Sequence, residues 1–301
     1  MSQLPLSTAV ISTAGLTCKI FLNSGLCSIT TSNLSALLDA LQCKTRLRLG
    51  QGVVTVSNHL STLDDPIMWG ALPARTYLKS RTRRWVLGAS DILFTNPVFS
   101  ALFRNGQVIE TFRGKGVFQP AVDTAVDKLN QGHWVHLFSE GRVCQPTQYP
   151  HTCGMTHLTR FKWGVGRIVM EANVMPLIIP MWLTGFDKLM PEGRPSPYKY
   201  FPKLGVKLGV AFGHPIPPER FSTLLDAPQH EQSTQTHSST GSPSIEALHT
   251  PTIDEDHLLE HTTRWRQADR IRCEVTAIIQ RAVEDLGRKI SGDKLDGPLT
   301  R

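Results

Sequence analysis

The chain has 301 residues, of which 40% are hydrophobic, and it carries a formal net charge of +7. This length is enough for one large α/β domain or two small ones with a buried core. The positive charge favours anionic partners, meaning nucleic acid, acidic lipid or a phosphorylated substrate, but no nucleic-acid-binding motif accompanies it. The six cysteines include no C-x-x-C pair, which is typical of a protein that is not built on disulfides.

The first 45 residues differ from the rest, since no acidic residue precedes Asp39 and Ser and Thr are interspersed among apolar residues. A membrane-spanning helix needs about 20 predominantly apolar residues, and neither 4–20 nor 21–38 meets this convincingly. A secretory signal would need an early positive charge, which is missing. We therefore expect residues 1–45 to be a membrane-contacting or targeting segment, with a disordered arm as the alternative.

The next stretch, Val53 to Ala71, pairs a predicted strand with a predicted helix. The β-branched run over 53–56 predicts a strand that ends in Ser57-Asn58-His59. Pro66 suits the first turn of a helix, and Asp65 suits its N-cap. Five residues along a regular helix turn a side chain by about 140°, so a contact between His59 and Asp64 requires non-helical backbone between them.

Such a contact would create a general base. A carboxylate at Nδ1–H fixes the imidazole tautomer and stabilises the imidazolium that forms when Nε2 takes a proton from an alcohol. Positioned proton transfer is worth roughly 10²–10⁴ in rate. The alternative is a loop histidine beside an acid without catalytic use, because the spacing of His59 and Asp64 alone is a weak signal.

Further along, residues 75–85 form a basic cluster with two aromatics, which indicates either phosphate or anionic headgroup contact or a solvated surface. Two apolar strands then end in polar residues, at Arg113-Gly114 and at Ser139-Glu140-Gly141-Arg142. Helical spacing alternates with these strands. This alternation predicts an α/β fold with a mostly parallel central sheet flanked by helices and with the site at the strand exits. The remaining predicted elements are helices over 94–103, 118–129 and 160–171 and strands over 174–182 and 206–212.

The loop over 144–159 contains two cysteines and two histidines, namely Cys144, His151, Cys153 and His157. Their spacing matches no standard zinc motif, so a loop insertion is favoured over a metal site. We assign residues 46–225 to the catalytic domain. Residues 226–257 are rich in Ser, Thr, Gln and His, which predicts a flexible insertion. Residues 258–301 show apolar residues at helical spacing and are expected to form an amphipathic C-terminal helix and tail.

Four blocks stand in one order along the chain: Asn58-His59 with Asp64, Gly106 to Arg113-Gly114, Phe138 to Arg142, and Met175-Pro176 to Pro180. In order and spacing they resemble the four blocks of the glycerolipid acyltransferase superfamily. Within it the chain is most similar to the tafazzin family, through Ser57-Asn58-His59 with Asp64-Asp65-Pro66, through the FKWG stretch at 161–164 and through the HWVH stretch at 133–136. The resemblance covers about residues 53–217.

The resemblance implies an acyltransferase fold attached to one leaflet of a membrane. It implies transfer of fatty acyl chains between phospholipids and lysophospholipids without coenzyme A, and hence remodelling of cardiolipin in mitochondrial membranes, on the side of the intermembrane space. The partners would be these lipids and the membrane surface, with no nucleic acid, no metal and no cofactor.

Carried over by position, the resemblance makes His59 the general base and Asp64 its orienting partner. Further positions would contact the substrate at its phosphate and glycerol: Asn58, Arg113, Gly114, Glu140, Gly141 and Arg142. Ser139 departs from the family, which usually has proline there, and this leaves the rigidity of the turn open because proline fixes φ and serine does not.

Two alternatives remain at this point. An acyl-CoA-dependent lysophosphatidate acyltransferase shares the same four blocks and differs mainly in its acyl donor. A membrane-binding scaffold with an inactive site is the other, although the intact His59, Asp64, Glu140 and Arg142 count against it. The chain contains no G-x-S-x-G elbow, so we expect direct transfer rather than a serine acyl-enzyme.

Overall fold

A seven-stranded sheet lies at the centre of the computed structural model, which describes residues 3–225 and 255–299. The strands in chain order are β1 (Ser28–Ser32), β2 (Val53–Ser57), β3 (Arg84–Ala89), β4 (Val108–Thr111), β5 (Trp134–Phe138), β8 (Leu177–Thr184) and β9 (Lys207–Phe212). Their spatial order is β1-β9-β8-β2-β5-β3-β4, and β6 (His151–Thr152) and β7 (Met155–Thr156) form a separate small hairpin. The expected α/β class with a mostly parallel sheet is confirmed.

Helices of very different length surround the sheet. In chain order they are α1 (Gln3–Asn23), α2 (Leu34–Gln42), α3 (Lys44–Arg48), α4 (Asp64–Gly70), α5 (Ser90–Leu93), α6 (Pro97–Asn105), α7 (Pro120–Asn130), α8 (Gly164–Met170), α9 (Phe186–Leu189), α10 (Glu219–Leu225) and α11 (Glu255–Ser291). Short 3-10 turns lie at Ala74–Tyr77, Ser80–Thr82, Pro146–Gln148 and Tyr198–Tyr200. Helix α7 packs against β3, β4 and β5, and α11 packs against β8 and α8.

The middle strand β2 is buried at all five positions and pairs in parallel with β5 on one side and β8 on the other. The sequence of a strand that is covered on both faces is a nearly continuous run of apolar and β-branched residues, and residues 53–57 show this pattern. The parallel arrangement brings the carboxyl ends of β2, β5, β3 and β4 to one edge of the sheet. The loops after these strands therefore share one end of the molecule.

Several predicted elements differ in detail from the structure. The helix predicted over 94–103 is α6, which begins at Pro97 and ends at Asn105, and the short helix α5 precedes the predicted segment. Helix α8 begins at Gly164 rather than at Arg160. Strand β9 runs antiparallel to β8, so β9 and its parallel partner β1 run against the rest of the sheet. The predicted helix from Pro66 begins at Asp64 instead, and Asp65 is not its N-cap, because that position is Leu63.

The N-terminal 45 residues contribute to the same sheet, since β1 pairs with β9. The sequence did not predict this strand. Over Leu6–Asn23, helix α1 is long and apolar enough to cross a membrane by length and composition, a test that core helices of soluble proteins and signal sequences also pass. Membrane contact of this segment stays a prediction. Most of the predicted insertion over 226–257 lies outside the described residues, and the expected C-terminal helix is present as α11.

Candidate functional site

The His59 ring and the Asp64 carboxylate are in contact, with Nδ1 and Oδ2 2.9 Å apart. Asn58 separates His59 from Ser57, the last residue of β2, and Asp64 is the first residue of α4. The six residues from 58 to 63 are outside any helix, as the sequence argument required for this contact. Asp64 is fully buried and the His59 side chain is 20% exposed. Nδ1 faces the acid, and no residue in the described ranges bonds to Nε2.

The loop around the carboxylate holds it in one orientation. The Leu60 backbone N–H donates to Oδ2 at 2.6 Å, and the Ser61 hydroxyl donates to Oδ1 at 2.9 Å. With the His59 contact, both oxygens of Asp64 are occupied. The acid is therefore fixed as an acceptor that keeps the proton of His59 on Nδ1.

The exit of β5 forms one wall beside the imidazole. The Phe138 ring stacks on the His59 ring at a centroid distance of 4.2 Å and an interplanar angle of 24°. Two residues on, Glu140 is fully buried, and its Oε1 accepts the backbone N–H of His59 at 3.1 Å. The His59 carbonyl in turn accepts the Cys144 N–H at 2.7 Å. The β5 loop thus fixes both the ring and the backbone of His59.

Burial raises the pKa of Glu140 to about 8, because the charged carboxylate is desolvated at this position. The hydrogen bond from the His59 N–H and the nearby Cys144 and Thr159 side chains lower it, and Asp64 raises it. Among the residues that the structure describes, none forms a hydrogen bond of ordinary geometry with Glu140 Oε2. The family resemblance predicts that Glu140 contacts the substrate. In the structure its carboxyl is buried and bonded to the backbone of His59.

The turn after Phe138 is held by the main chain although it lacks the proline usual in the family. The Gly141 N–H donates to the Phe138 carbonyl at 3.0 Å, and the Lys162 N–H donates to the Ser139 carbonyl at 2.7 Å. Gly141 has a φ of +73°, which favours glycine, and a Cβ there would meet the Lys162 side chain at 2.9 Å. These backbone hydrogen bonds and the conformation of Gly141 therefore hold the turn in place, although residue 139 is serine rather than proline.

Cations gather beside this turn. Arg142 is exposed and its guanidinium lies near the Cys144 thiol, and Lys162 is exposed beside Gly141. In the described part of the chain, neither cation pairs with a carboxylate. Because the Cys144 N–H bonds to the His59 carbonyl, this basic turn is joined directly to the histidine. The arrangement suits an anionic group bound at this turn.

Two predicted substrate residues lie further away. Arg113 and Gly114 follow β4, the edge strand, which is separated from β2 by β5 and β3. At about 4.8 Å per strand this places them roughly 14 Å from the exit of β2, although on the same edge of the sheet. The Arg113 guanidinium lies 3.4 Å from the exposed Asp91. The structure does not bring these two residues to the histidine.

Asn58, for which the resemblance implies substrate contact, has both polar atoms of its side chain bonded to β8. It is fully buried, its Nδ2 donates to the Leu183 carbonyl at 3.1 Å, and its Oδ1 accepts the Leu183 N–H at 2.8 Å. Its side chain therefore fixes the β2 exit to β8. The second acid of the motif, Asp65, forms an ion pair with Arg84 and accepts from Trp69 Nε1 at 2.6 Å.

Three residues at the site were not predicted from the sequence: Ser61, Phe138 as a stacking partner, and Lys162. Ser61 stands in the loop between the two motif residues, which was an available signal. Lys162 reaches the site through a backbone bond to Ser139, across 23 residues, and no local pattern indicates that. In the Cys/His loop, His157 pairs with Glu284 at 2.8 Å, and within 3–225 and 255–299 no three His, Cys, Asp or Glu residues are grouped to hold a metal.

Known proteins are similar to this chain in sequence. A family model described as Acyltransferase matches residues 40–184. A Dictyostelium discoideum protein named Taffazin is 37% identical over 215 residues, which cover 70% of each chain. An Arabidopsis thaliana N-acylphosphatidylethanolamine synthase is 39% identical over 175 residues, covering 56% of each chain. The Drosophila melanogaster Tafazzin is 38% identical over 176 residues, covering 58% of this chain and 43% of the relative.

The chain thus spans more than two thirds of the Dictyostelium relative and about half the length of the other two. The family match includes β2, α4 and the exit of β5, which are the elements that carry the histidine, the acid and the basic turn. The chain is therefore an acyltransferase, and it belongs to the tafazzin family within the glycerolipid acyltransferase superfamily.

Proposed function

We propose that the protein transfers fatty acyl chains from phospholipids to lysophospholipids without coenzyme A, and that cardiolipin in mitochondrial membranes is among its substrates. The tafazzin relatives support this acceptor and donor class. The formal charge of +7 and the basic turn at Arg142 and Lys162 suit phosphate-bearing lipids. The observation that carries the proposal is the His59–Asp64 contact of 2.9 Å, with Nε2 left available.

In this mechanism His59 Nε2 takes the proton from the free hydroxyl of the lysophospholipid. The hydroxyl oxygen attacks the carbonyl carbon of the donor ester, and a tetrahedral oxyanion forms. When this intermediate collapses, the bond to the donor glycerol oxygen breaks, and that oxygen takes the proton back from Nε2. Asp64 stabilises the imidazolium between the two proton transfers. The histidine ends each turnover neutral, so no external acid, base or cofactor is consumed.

The surrounding groups receive distinct roles in the proposal. Arg142 and Lys162 bind the lipid phosphate, and cations of this kind stabilise a developing oxyanion. Glu140 is a positioning residue, since it holds the His59 backbone and does not reach the surface. Arg113 and Gly114 contact the outer part of a headgroup, at the rim of the site. Cardiolipin has two phosphates, so a second cationic position at this distance suits it.

One assay separates the proposed activity from its alternatives. Purified protein is given labelled phosphatidylcholine and lysocardiolipin in vesicles, with and without acyl-CoA. The proposal expects labelled cardiolipin to form in the absence of acyl-CoA. Product that requires acyl-CoA would identify a lysophosphatidate-type acyltransferase instead, and no product under either condition would favour an inactive scaffold.

A second acceptor is favoured by one observation, the 39% identity to the Arabidopsis N-acylphosphatidylethanolamine synthase. The same base could deprotonate the amine of phosphatidylethanolamine as it attacks a donor ester, which would give an amide product. The same assay with phosphatidylethanolamine as the acceptor tests this directly. An alkali-stable acylated product identifies the amide, whereas a cardiolipin ester is cleaved by mild alkali.

A further inference from the structure

A cavity of about 80 Å³ lies between helix α1, the end of α4 and the amino ends of β3 and β5. Its walls are mostly apolar side chains, namely Val10, Ile11, Ala14, Trp69, Leu72 and Trp134. About 10–15 Å³ of such space is enough for one water molecule, so the cavity has room for several carbon atoms. Apolar walls of this kind favour an apolar group over water.

This cavity is at the opposite edge of the sheet from the catalytic histidine. Arg84 and Trp134 are the first residues of β3 and β5 and pair with each other, whereas His59 lies beyond the carboxyl end of β2. At about 3.3 Å per residue, the length of β5 places Trp134 roughly 13 Å from Phe138, the residue that stacks on His59. The cavity is therefore separate from the site of acyl transfer.

One wall of the cavity contains a buried cation. Arg83 lines the cavity and is only 4% exposed. Its Nη1 donates to Thr8 Oγ1 at 2.9 Å, but within residues 3–225 and 255–299 no group accepts a hydrogen bond from Nε, and no carboxylate pairs with the guanidinium. Burial lowers the pKa of Arg83 below its ordinary value, because the charged form loses solvation. An unpaired buried charge of this kind destabilises a fold.

The hydrogen bond to Thr8 leaves one edge of the Arg83 guanidinium available. A planar guanidinium binds a carboxylate through two parallel hydrogen bonds from two neighbouring nitrogens. Because Nη1 is bonded to Thr8 and Nε has no partner among the described residues, the edge formed by Nε and Nη2 is the one that remains. This edge has the geometry that a single carboxylate requires.

The neighbouring Arg84 already has such a contact. Its Nε donates to Asp65 Oδ1 at 2.9 Å, its Nη2 donates to Asp65 Oδ2, and its Nη1 donates to the Gly106 carbonyl at 2.9 Å. Arg84 therefore binds a carboxylate through its Nε–Nη2 edge and a neutral oxygen through Nη1. Arg83 is more deeply buried and has only the neutral oxygen on Nη1, so a carboxylate from a ligand would complete the same pattern.

We propose that this cavity binds an amphiphilic carboxylate of the fatty-acid class, with the carboxylate on the Nε–Nη2 edge of Arg83 and the first methylene groups between the apolar walls. A single negative charge balances the site, because the other cation of the cavity wall, Arg84, is already paired with Asp65. The apolar walls favour an alkyl chain behind that charge over an inorganic anion. This inference goes beyond the proposed function and does not depend on acyl transfer.

A ligand in this position would contact both α1 and the sheet. Near its start α1 is held by the bond from Arg83 to Thr8, and near its end Lys19 Nζ donates to the carbonyls of Leu72 at 2.8 Å and Gly70 at 3.3 Å. The helix thus forms a wall of the cavity that is fastened at both ends. Because the ligand binds the folded chain and contacts both walls, it should raise the melting temperature.

The test measures binding of octanoate, below its critical micelle concentration, to the full chain by isothermal titration calorimetry and by the shift in melting temperature. Octanoate should bind and stabilise the protein. Acetate has the charged group alone and octanol has a neutral group on the same chain, so each should bind at least about ten-fold more weakly. Absence of octanoate binding, or equal binding of octanoate and octanol, would overturn the proposal.

A variant of the cation separates a binding role from a structural one. Arg83→Met keeps an apolar side chain but removes the charge, and it should bind octanoate at least about ten-fold more weakly. Without ligand it should melt at the same temperature as the parent or higher, because an unpaired buried charge is lost. The matched control Arg81→Gln changes an exposed arginine of the same segment and should bind as the parent does. A lower melting temperature of Arg83→Met with octanoate binding retained would overturn the proposal.

A second variant leaves Arg83 in place and fills the cavity instead. Ala14 is an exposed residue on the cavity wall, so Ala14→Phe should fold and should weaken octanoate binding by about ten-fold or more. Thr13→Phe, at an exposed position of α1 that does not line the cavity, is the control and should bind as the parent does. Unchanged binding by Ala14→Phe would overturn the proposal.

A competition experiment decides at which edge of the sheet octanoate binds. Binding is read without turnover, so His59→Ala should bind octanoate as the parent does even if the protein transfers no acyl chain. A short-chain lysophospholipid, also below its critical micelle concentration, should not displace octanoate. Displacement in the parent, together with equal octanoate binding by Arg83→Met, would place the ligand at the catalytic edge and overturn the proposal.

Discussion

The Nδ1 atom of His59 and the Oδ2 atom of Asp64 are 2.9 Å apart, across a loop that belongs to neither the strand nor the helix that carries them. The acid is fully buried and bonded through both oxygens, whereas the histidine is exposed enough to meet a substrate. One residue on, Asp65 bonds to Arg84 and Trp69 instead. Two adjacent carboxylates therefore have different tasks, one at the site and one in the fold.

Replacing each of these acids separately tests that division. Asp64→Asn keeps the shape of the side chain but no longer favours the Nδ1–H tautomer, and we expect kcat to fall roughly 10²–10⁴-fold. Asp65→Asn leaves Arg84 without its partner and should cost about 1–3 kcal/mol of unfolding free energy, with near-normal turnover per folded molecule. Urea denaturation and steady-state kinetics on both variants measure this. Equal kinetic losses in the two would contradict it.

Glu140 makes stability depend on pH in a specific direction. Burial raises its folded pKa to about 8 from the ordinary value of 4.5, so between these values the folded chain keeps a proton that the unfolded chain releases. The contribution of Glu140 to the free energy of unfolding therefore falls as pH rises through this range and is level above it. Glu140→Gln is neutral at every pH and should not show this fall.

The measurement is the difference in unfolding free energy between Glu140→Gln and the parent, at about pH 5 and at about pH 8. We expect the difference to shift in favour of the variant as pH rises. Other titrating groups cancel, because both proteins contain them. A difference that is the same at both pH values would show that the buried carboxyl ionises normally.

Arg142 and Lys162, the cations of the basic turn, should contribute more to substrate binding than Arg113, which lies at the rim of the site. Arg142→Gln and Lys162→Gln each remove a cation beside the histidine, and we expect KM for the lysophospholipid to rise about ten-fold or more, because a hydrogen bond to a charged group is worth about 1.5–3 kcal/mol. Arg113→Gln serves as the comparison. It is nearly half exposed and already beside Asp91, so its effect should be several-fold smaller. A larger effect at Arg113 would place the phosphate at the rim.

The sequence predicts the elements whose local pattern matches their final burial. The strand predicted to end at Ser139 is β5, whose last residue is Phe138, and the predicted β2 was confirmed, because a strand covered on both faces is apolar throughout. Strand β1 was missed, since SITTS has a single large apolar residue and lies at the edge of the sheet. β-Branched residues are favourable in such an edge strand even where apolar and polar residues do not alternate.

Only the part of the candidate site that lies within the sequence motifs could be predicted. The contact of His59 with Asp64 follows from placing the histidine in the exit loop of a strand and the acid, five residues later, at the start of a helix. The burial of Glu140 does not, because it depends on Cys144 and Thr159 folding back over the carboxyl. The inward turn of Lys19 is equally invisible, since its acceptors are carbonyls about 50 residues away. Non-local packing decides these positions, and no local pattern in a single sequence indicates that packing.

The most direct test of the central claim is acyl exchange by His59→Ala in vesicles of labelled phosphatidylcholine and lysocardiolipin without acyl-CoA. Circular dichroism and vesicle flotation first confirm that the variant folds and binds as the parent does. The account predicts that labelled cardiolipin formation falls to background, because the variant lacks the imidazole that takes the hydroxyl proton. Near-normal exchange by the folded variant would contradict it and remove His59 from the mechanism.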